Sequence, residues 1–222
     1  MTLELSSPLL LSLRVAFFAT LLIVVFGLPI CLLLARVRFP GRDLLGALLA
    51  LPLVLPPTVL GFALLAVFGR RGPVGSLLEG AFGVAIVFHE SGAVLAAAVA
   101  AFPLFFLPAR SALAGVDQRL EDAARLLGRG EWSVLRHVTL PLAWKGLMAG
   151  TLLAFTRALG DFGATLMLAG NIPGRTQTAP LALYDAVNAG DPARAWRISA
   201  WLVSIALVVA WFGQRGLERR TH

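Results

Sequence analysis

The sequence predicts an all-α, polytopic membrane protein, and three observations lead there. Hydrophobic residues make up 58% of the 222 and charged residues only 14%, against roughly 25% charged in ordinary soluble domains. Four stretches, 16–35, 44–69, 91–109 and 198–214, carry no charge, and roughly 17–25 apolar residues suffice to cross a bilayer as a helix. The basic residues cluster in alternate loops. Arg36, Arg38 and Arg42 follow the first stretch; Arg110, Arg119, Arg125, Arg129, Arg136 and Lys145 follow the third; Arg215, Arg219 and Arg220 follow the last. These are twelve of the nineteen Lys and Arg residues, and the positive-inside rule then sets the N-terminus outside and the C-terminus in the cytoplasm. Topology accounts for the net charge of +7. The lipid bilayer is therefore an expected partner and nucleic acid is not.

The first span, about 9–35, ends at Arg36, and Phe39, Pro40 and Gly41 make a turn. It is too long for a signal-peptide core, and no small-residue cleavage pattern follows it. Cys31 is the only cysteine; it can form neither an intrachain disulfide nor a cysteine metal cluster, and packing is its expected role. The second span, about 44–69, holds Pro52, Pro56 and Pro57. Proline removes a backbone donor and clashes with the preceding turn, and in lipid the freed carbonyls need partners in the protein or a wet cavity. A broken span facing the bundle interior is expected, with a simple packing kink as the alternative. After a turn at 70–75, a semi-apolar segment of about 77–88 is too short to cross and reads as an interfacial helix. It leads into the third span, about 91–110. Were it to cross, six spans would result; five fit the charge pattern better. His89 and Glu90 form a polar pair there, and with no second histidine nearby no metal site is expected. The fourth span, about 146–169, contains Arg157 and Asp161. A Gly- and Pro-containing loop, 170–197, with a helix-compatible piece at 179–187, precedes the fifth span, about 198–214. A loop of that length is more often functional than idle. One domain, 1–222, contains all of this.

Residues 116–141 do not belong in lipid. Apolar side chains recur at helical spacing, at Leu120, Ala123, Ala124 and Leu127 and then at Trp132, Leu135 and Val138, while Gly128 and Gly130 separate two short helices. Asp117 is an acceptable N-cap, and Glu121 and Asp122 suit the positive end of the first helix. Pro141 stands where the next membrane helix can begin. A helix, glycine turn and second helix on the cytoplasmic face form a knob that can enter a partner's groove. An amphipathic helix resting on headgroups is the alternative, but it leaves the paired acids and the glycine turn without a purpose.

The spacing Asp122, Ala123, Ala124, three residues, Gly128, nine residues, Val138, one residue, Leu140, Pro141 resembles the EAA signature of permease subunits in bacterial ABC importers. Asp122 stands where the signature usually has Glu, and Val138 where it has Ile. The resemblance implies a type I ABC importer permease bundle in the plasma (inner) membrane of a bacterium or archaeon. It also implies that the segment is a coupling helix docking on a separate ATPase, with Glu121, Asp122, Ala123, Ala124, Gly128, Trp132, Leu140 and Pro141 as the docking set. Further strings are similar to the molybdate, tungstate and sulfate branch, and to molybdate permeases within it. They are Leu51-Pro52-Leu53-Val54-Leu55-Pro56-Pro57, Gly69-Arg70-Arg71-Gly72-Pro73, Phe162-Gly163-Ala164-Thr165 and Asn171-Ile172-Pro173-Gly174-Arg175-Thr176-Gln177-Thr178. Asp161 precedes the third of these, where the family commonly has Glu.

Arg157 and Asp161, one helical turn apart in the outer half of the fourth span, are costly in hydrocarbon unless they face protein or water. They can neutralise each other, or Arg157 can lend positive potential to an anion path while Asp161 limits its grip. A path that bound its ion tightly would trap it, and Thr58, Thr151, Thr156 and Thr165 suit passage better than storage. Pro56, Pro57, Thr58, Arg157, Asp161, Thr165 and Asn171 are the candidate path or gate. High-affinity selection is then expected in an extracytoplasmic oxyanion-binding protein docked on the 70–76 turn and the 171–197 loop. Arg70, Arg71 and Arg175 are the leading contacts, with Arg194 and Arg197 nearby. One small bundle cannot enclose a gated path, so a homodimer is expected, served by two ATP-binding cassette ATPases. The chain has no Gly-x4-Gly-Lys-Ser/Thr phosphate loop. It is expected to be no enzyme and to hold no cofactor, ATP and Mg residing on the ATPase. A secondary transporter would show inverted repeats and a midplane ion site. A membrane enzyme would show His, Asp, Ser or Cys clustered at one depth. Neither pattern is visible; sulfate or tungstate is the alternative cargo.

Overall fold

Small residues decide how the helices of this chain meet. The computed structural model describes residues 3–218, which fold into eleven α-helices with no strand among them. Helix α5 (Glu90–Ala114) is the central post, packed against both α1 (Leu3–Arg36) and α8 (Leu140–Leu159), which also touch each other. Ala93, Ala97 and Ala101 of α5 are fully buried. At the opposing surface of α8, a side chain on Gly146 would come within 2.3 Å of Ala112 Cβ, and one on Gly150 within 2.9 Å of the Phe105 carbonyl. Lipid offers no hydrophobic drive for helix association, so close backbone approach through small residues four apart supplies the packing energy instead. Gly150→Leu is expected to cost about 2 kcal/mol or more by overpacking, read as a lower melting temperature and aggregation of the detergent-solubilised protein. Phe105, Phe106, Leu34 and Cys31 fill the middle of this core, and Cys31 is the packing residue expected.

Four helical stretches are long and apolar enough to cross a membrane: Ser7–Arg36, Glu90–Ala114, Glu131–Leu159 and Pro192–Gly213. The bent pair Arg42–Leu53 and Pro57–Phe68, whose halves meet at 113°, has the apolar length of a fifth, and counted as one broken span it brings the total to five. This pair is α2 (Arg42–Ala50), a 3₁₀ turn at Leu51–Leu53, and α3 (Pro57–Phe68). The bend follows from the paired prolines. A residue before proline is driven out of the α region, and Pro56 accordingly sits at φ −54°, ψ 136° while Pro57 opens α3. The expected break is present, but Pro56, Pro57 and Thr58 are exposed rather than facing this bundle's interior. The hydrophobic packing of α3 is made by Leu60 and Leu64 against Ala164 and Leu168, while Pro57 lies close over Gly163.

Four further expectations are corrected. The interfacial helix runs earlier than 77–88, as α4 (Pro73–Phe82), because Pro73 is placed to start it and Gly83 ends it at φ +65°. The fourth span does not continue to residue 169. It stops at Leu159, breaks at 160–162, and resumes as the short α9 (Gly163–Ala169). The 170–197 loop is shorter than expected, since α10 (Ala179–Asn188) is followed at once by α11 (Pro192–Glu218). Arg194 and Arg197 therefore ride on the start of α11. The second short helix of the knob is not separate from the next span. After α6 (Gln118–Leu126), α7 (Glu131–Val134) runs through a single π turn, Leu135–Thr139, straight into α8. The wider turn lets Pro141 enter without driving its ring into the carbonyl four residues back. Arg219 and Arg220 of the last basic cluster lie outside the described residues.

Candidate functional site

Two places gather the residues singled out by the sequence, at different levels of the bundle. The first is the knob. Asp117 caps α6, its carboxylate accepting from the Arg119 N–H at 2.9 Å. Gly128 sits at φ +79° with open space around it, so the turn selects glycine by conformation and not by crowding. A side chain in this left-handed region costs roughly 1–2 kcal/mol. Arg125 then clamps the turn: its Nε and Nη2 donate to the two oxygens of Glu131 at 2.7 and 3.1 Å, and its Nη1 donates to Asp122 at 2.6 Å. Those bonds, Glu131 first and Asp122 second, push the guanidinium pKa above its ordinary value, though exposed pairs of this kind add little stability.

The clamp leaves an apolar tip that the rest of the chain does not cover. Leu126, Leu127 and Trp132 are 89%, 83% and 74% exposed. Leu127 was grouped by spacing with Leu120, Ala123 and Ala124, but α6 ends at Leu126 and Leu127 is its C-cap. Of the expected docking set, Asp122, Ala123, Gly128, Trp132 and Pro141 are exposed, and Ala124 and Leu140 are partly so. Glu121 differs. It is only 4% exposed and points into the bundle, where it accepts from Arg36 and Thr139. Its carboxylate is turned toward those partners and not toward the exposed tip, so of the expected docking set it is the residue held by the bundle. A cleft of about 730 Å³ lies beside it, between the end of α1 and the knob, lined by Pro29, Leu33, Arg36, Arg125 and Trp132 among others.

The second place is a cleft of about 490 Å³ where the bent second span meets the break after α8. Pro57 and Thr58 line one side, and Arg157, Asp161 and Phe162 the other. Arg157 Nη1 donates to Asp161 Oδ1 at 3.0 Å, while Asp161 Oδ2 accepts from the Thr165 backbone N–H at 2.9 Å and its hydroxyl at 2.7 Å. The pair is thus not two rungs of one helix. Asp161 sits at the break and holds the start of α9, which is why it is 2% exposed while the Arg157 side chain, 32% exposed, reaches the open cleft. Four of the expected path residues come together here. Thr165 is buried behind them, Pro56 lies just outside the lining, and Asn171 is elsewhere. The hydroxyls of Thr151 and Thr156 donate to carbonyls of their own helix, so they offer the path no free donor.

Asn171 belongs to the connection after α9. Its amide donates to both oxygens of Asp185 on α10 at 2.8 and 2.9 Å, and Gln177 donates to the same carboxylate at 2.7 Å. The sequence reading missed Asp185; a lone acid on a short helix gives no periodic signal. Arg71 and Arg175 are exposed, and Arg70 forms a loose pair with Glu79 at 3.6 Å. They lie toward the α1 end that meets α10, Ser12 Oγ accepting from the Ala179 N–H. The knob is at the other end, beside Arg36. Among the described residues no three His, Cys, Asp or Glu side chains assemble as a metal site.

A bundle of apolar membrane-length helices with a polar knob leading into the helix Glu131–Leu159 has the architecture of a membrane transport permease, and the family match supplies that class. More particularly, the chain belongs to the family of binding-protein-dependent transport system inner membrane components, whose pattern matches residues 27–221. The molybdenum transport system permease protein ModB of Escherichia coli (strain K12) is 47% identical over 215 residues, covering 95% of this chain and 94% of that one. The protein of the same name from Haemophilus influenzae is 41% identical over 199 residues, covering 89% and 87%. In fold, the chain is similar to one from a structure of inward-facing conformations of the MetNI methionine ABC transporter. That match has a TM-score of 0.77 at 19% identity and covers 100% and 98% of the two chains.

Proposed function

We propose that this chain is the membrane-spanning subunit of an ATP-driven importer for molybdate, a tetrahedral oxyanion dianion. The observation that carries the cargo is the 47% identity to a molybdenum transport permease along nearly the full length of both chains. The apolar tip supports an ATPase as the partner: three large side chains on a clamped turn are left uncovered by this chain, and such patches mark interaction sites. In this reading two copies enclose the path, with N-termini outside and C-termini in the cytoplasm. Two ATPases take the two knobs, and an extracytoplasmic binding protein delivers the ion near Arg70, Arg71 and Arg175. ATP and Mg are bound by the ATPases. ATP-driven closure of the ATPases draws the knobs together and opens the bundles outward; hydrolysis resets them.

Arg157 supplies the positive potential that a dianion needs on leaving water, and Asp161 keeps that potential from becoming a trap. The deciding experiment measures ATP hydrolysis by the reconstituted complex with binding protein added empty, loaded with molybdate, or loaded with sulfate. Molybdate-loaded protein is expected to stimulate most. Stimulation by sulfate-loaded protein alone would reassign the cargo, and none by either would remove the importer reading.

A further inference from the structure

Glu121 is the one acid of the knob that turns away from solvent, and its two partners belong to different membrane helices. One carboxylate oxygen accepts from Arg36 Nη2 and from Thr139 Oγ1, each at 2.5 Å. Arg36 is the last residue of α1. Thr139, itself buried, closes the π turn that runs into α8. The other ion pairs of the knob, Arg125 with Asp122 and with Glu131, stay within it. Helix α6 otherwise packs chiefly on α7 and the π turn, so the carboxylate is its main tie to α1.

We propose that Glu121 is the positioning residue that carries force from the docked knob into the transmembrane bundle, through Arg36 to α1 and through Thr139 to α8. The proposal rests on the reading of the knob as the ATPase-docking element. A displacement of α6 then moves both helices at once, and these two pack on α5 and on each other. Burial suits the pair to this task, because such pairs are screened less than exposed ones and removing either partner leaves an uncompensated charge. The π turn suits it too. Its looser hydrogen-bond register is a common site of functional distortion in helices, and the Thr139 hydroxyl ties that soft point to the moving element.

The test uses the complete complex of permease, ATPase and binding protein in proteoliposomes, and reads ATP hydrolysed per molybdate imported. Glu121→Gln and Arg36→Gln are each expected to raise that ratio about tenfold, the size of an ordinary coupling energy between two sites, while the ATPase still co-purifies. The exchange Arg36→Glu with Glu121→Arg is expected to restore most of the coupling, which a general loss of stability does not predict. An unchanged ratio in the single variants, or an exchange no better coupled than they are, overturns the proposal. Loss of the ATPase from Glu121→Gln also overturns it, by making Glu121 a docking contact. Should the charge variants fail to assemble, Thr139→Val, which keeps the ion pair, carries the test. It is expected to raise the ratio about fivefold, the low end of such couplings, and no rise overturns the idea. Retention of the ATPase by a permease whose apolar tip is removed would instead bring down the docking reading.

Discussion

Converting Leu126 and Leu127 to Ser and Trp132 to Ala is expected to release the ATPase from the permease while leaving the bundle folded. The three side chains are mostly uncovered by the rest of the chain, and exposed positions outside caps and networks change stability by about 0.5 kcal/mol or less. Their loss from an interface is another matter. A single aromatic anchor at an interface centre contributes about 2 kcal/mol or more, and two leucines add to it, so the affinity is expected to fall at least about 100-fold. Co-purification from membranes, with melting temperature as the control, reads both quantities. An ATPase that stays bound to a stable variant removes the docking model.

The cleft gives the second large effect, and its two charges are expected to fail in different ways. Arg157→Gln leaves Asp161 with its Thr165 bonds but no cation. Removing one partner of a buried pair costs about 3–5 kcal/mol when both are enclosed, and less here because Arg157 is partly exposed. Uptake is expected to fall about tenfold or more, and no anion is retained. Asp161→Asn keeps an acceptor for the Thr165 N–H and frees the guanidinium. Uptake again falls, but because the ion lingers. Radiolabelled molybdate retained on the solubilised complex separates the cases: it rises for Asp161→Asn and is absent for Arg157→Gln. Equal retention in both variants would leave the pair with a structural role only.

Much of this could be read beforehand, for identifiable reasons. Uncharged runs report bilayer crossings because a charge in lipid is costly wherever the chain folds, and paired prolines report a break because their constraint is local. The knob was legible through Gly128 and the spacing around it. What escaped depends on direction. Whether Glu121 or Asp122 turns inward is set by a partner 85 residues away, which periodicity does not contain. Leu127 fits the apolar repeat of α6, yet the helix stops one residue short of it. Arg157 and Asp161 do pair as their spacing suggests, but through a helix break that Asp161 itself stabilises by holding Thr165. Asn171 looked like a path residue and proved to be half of a loop tie, because its acceptor, Asp185, lies on an element whose position no motif announces.

The π turn at Leu135–Thr139 makes the spacing between Gly128 and the membrane a matter of angle as much as distance. Each residue of an α-helix advances about 100° around the axis, and the turn inserts one residue without adding a full step of rise. Helix α7 and the body of α8 are therefore clocked relative to one another by that single extra residue. The interval from Gly128 to Val138 sets the compass bearing of the tip: a knob of identical sequence on an unbulged helix would present Leu126, Leu127 and Trp132 toward a different quarter of the membrane plane.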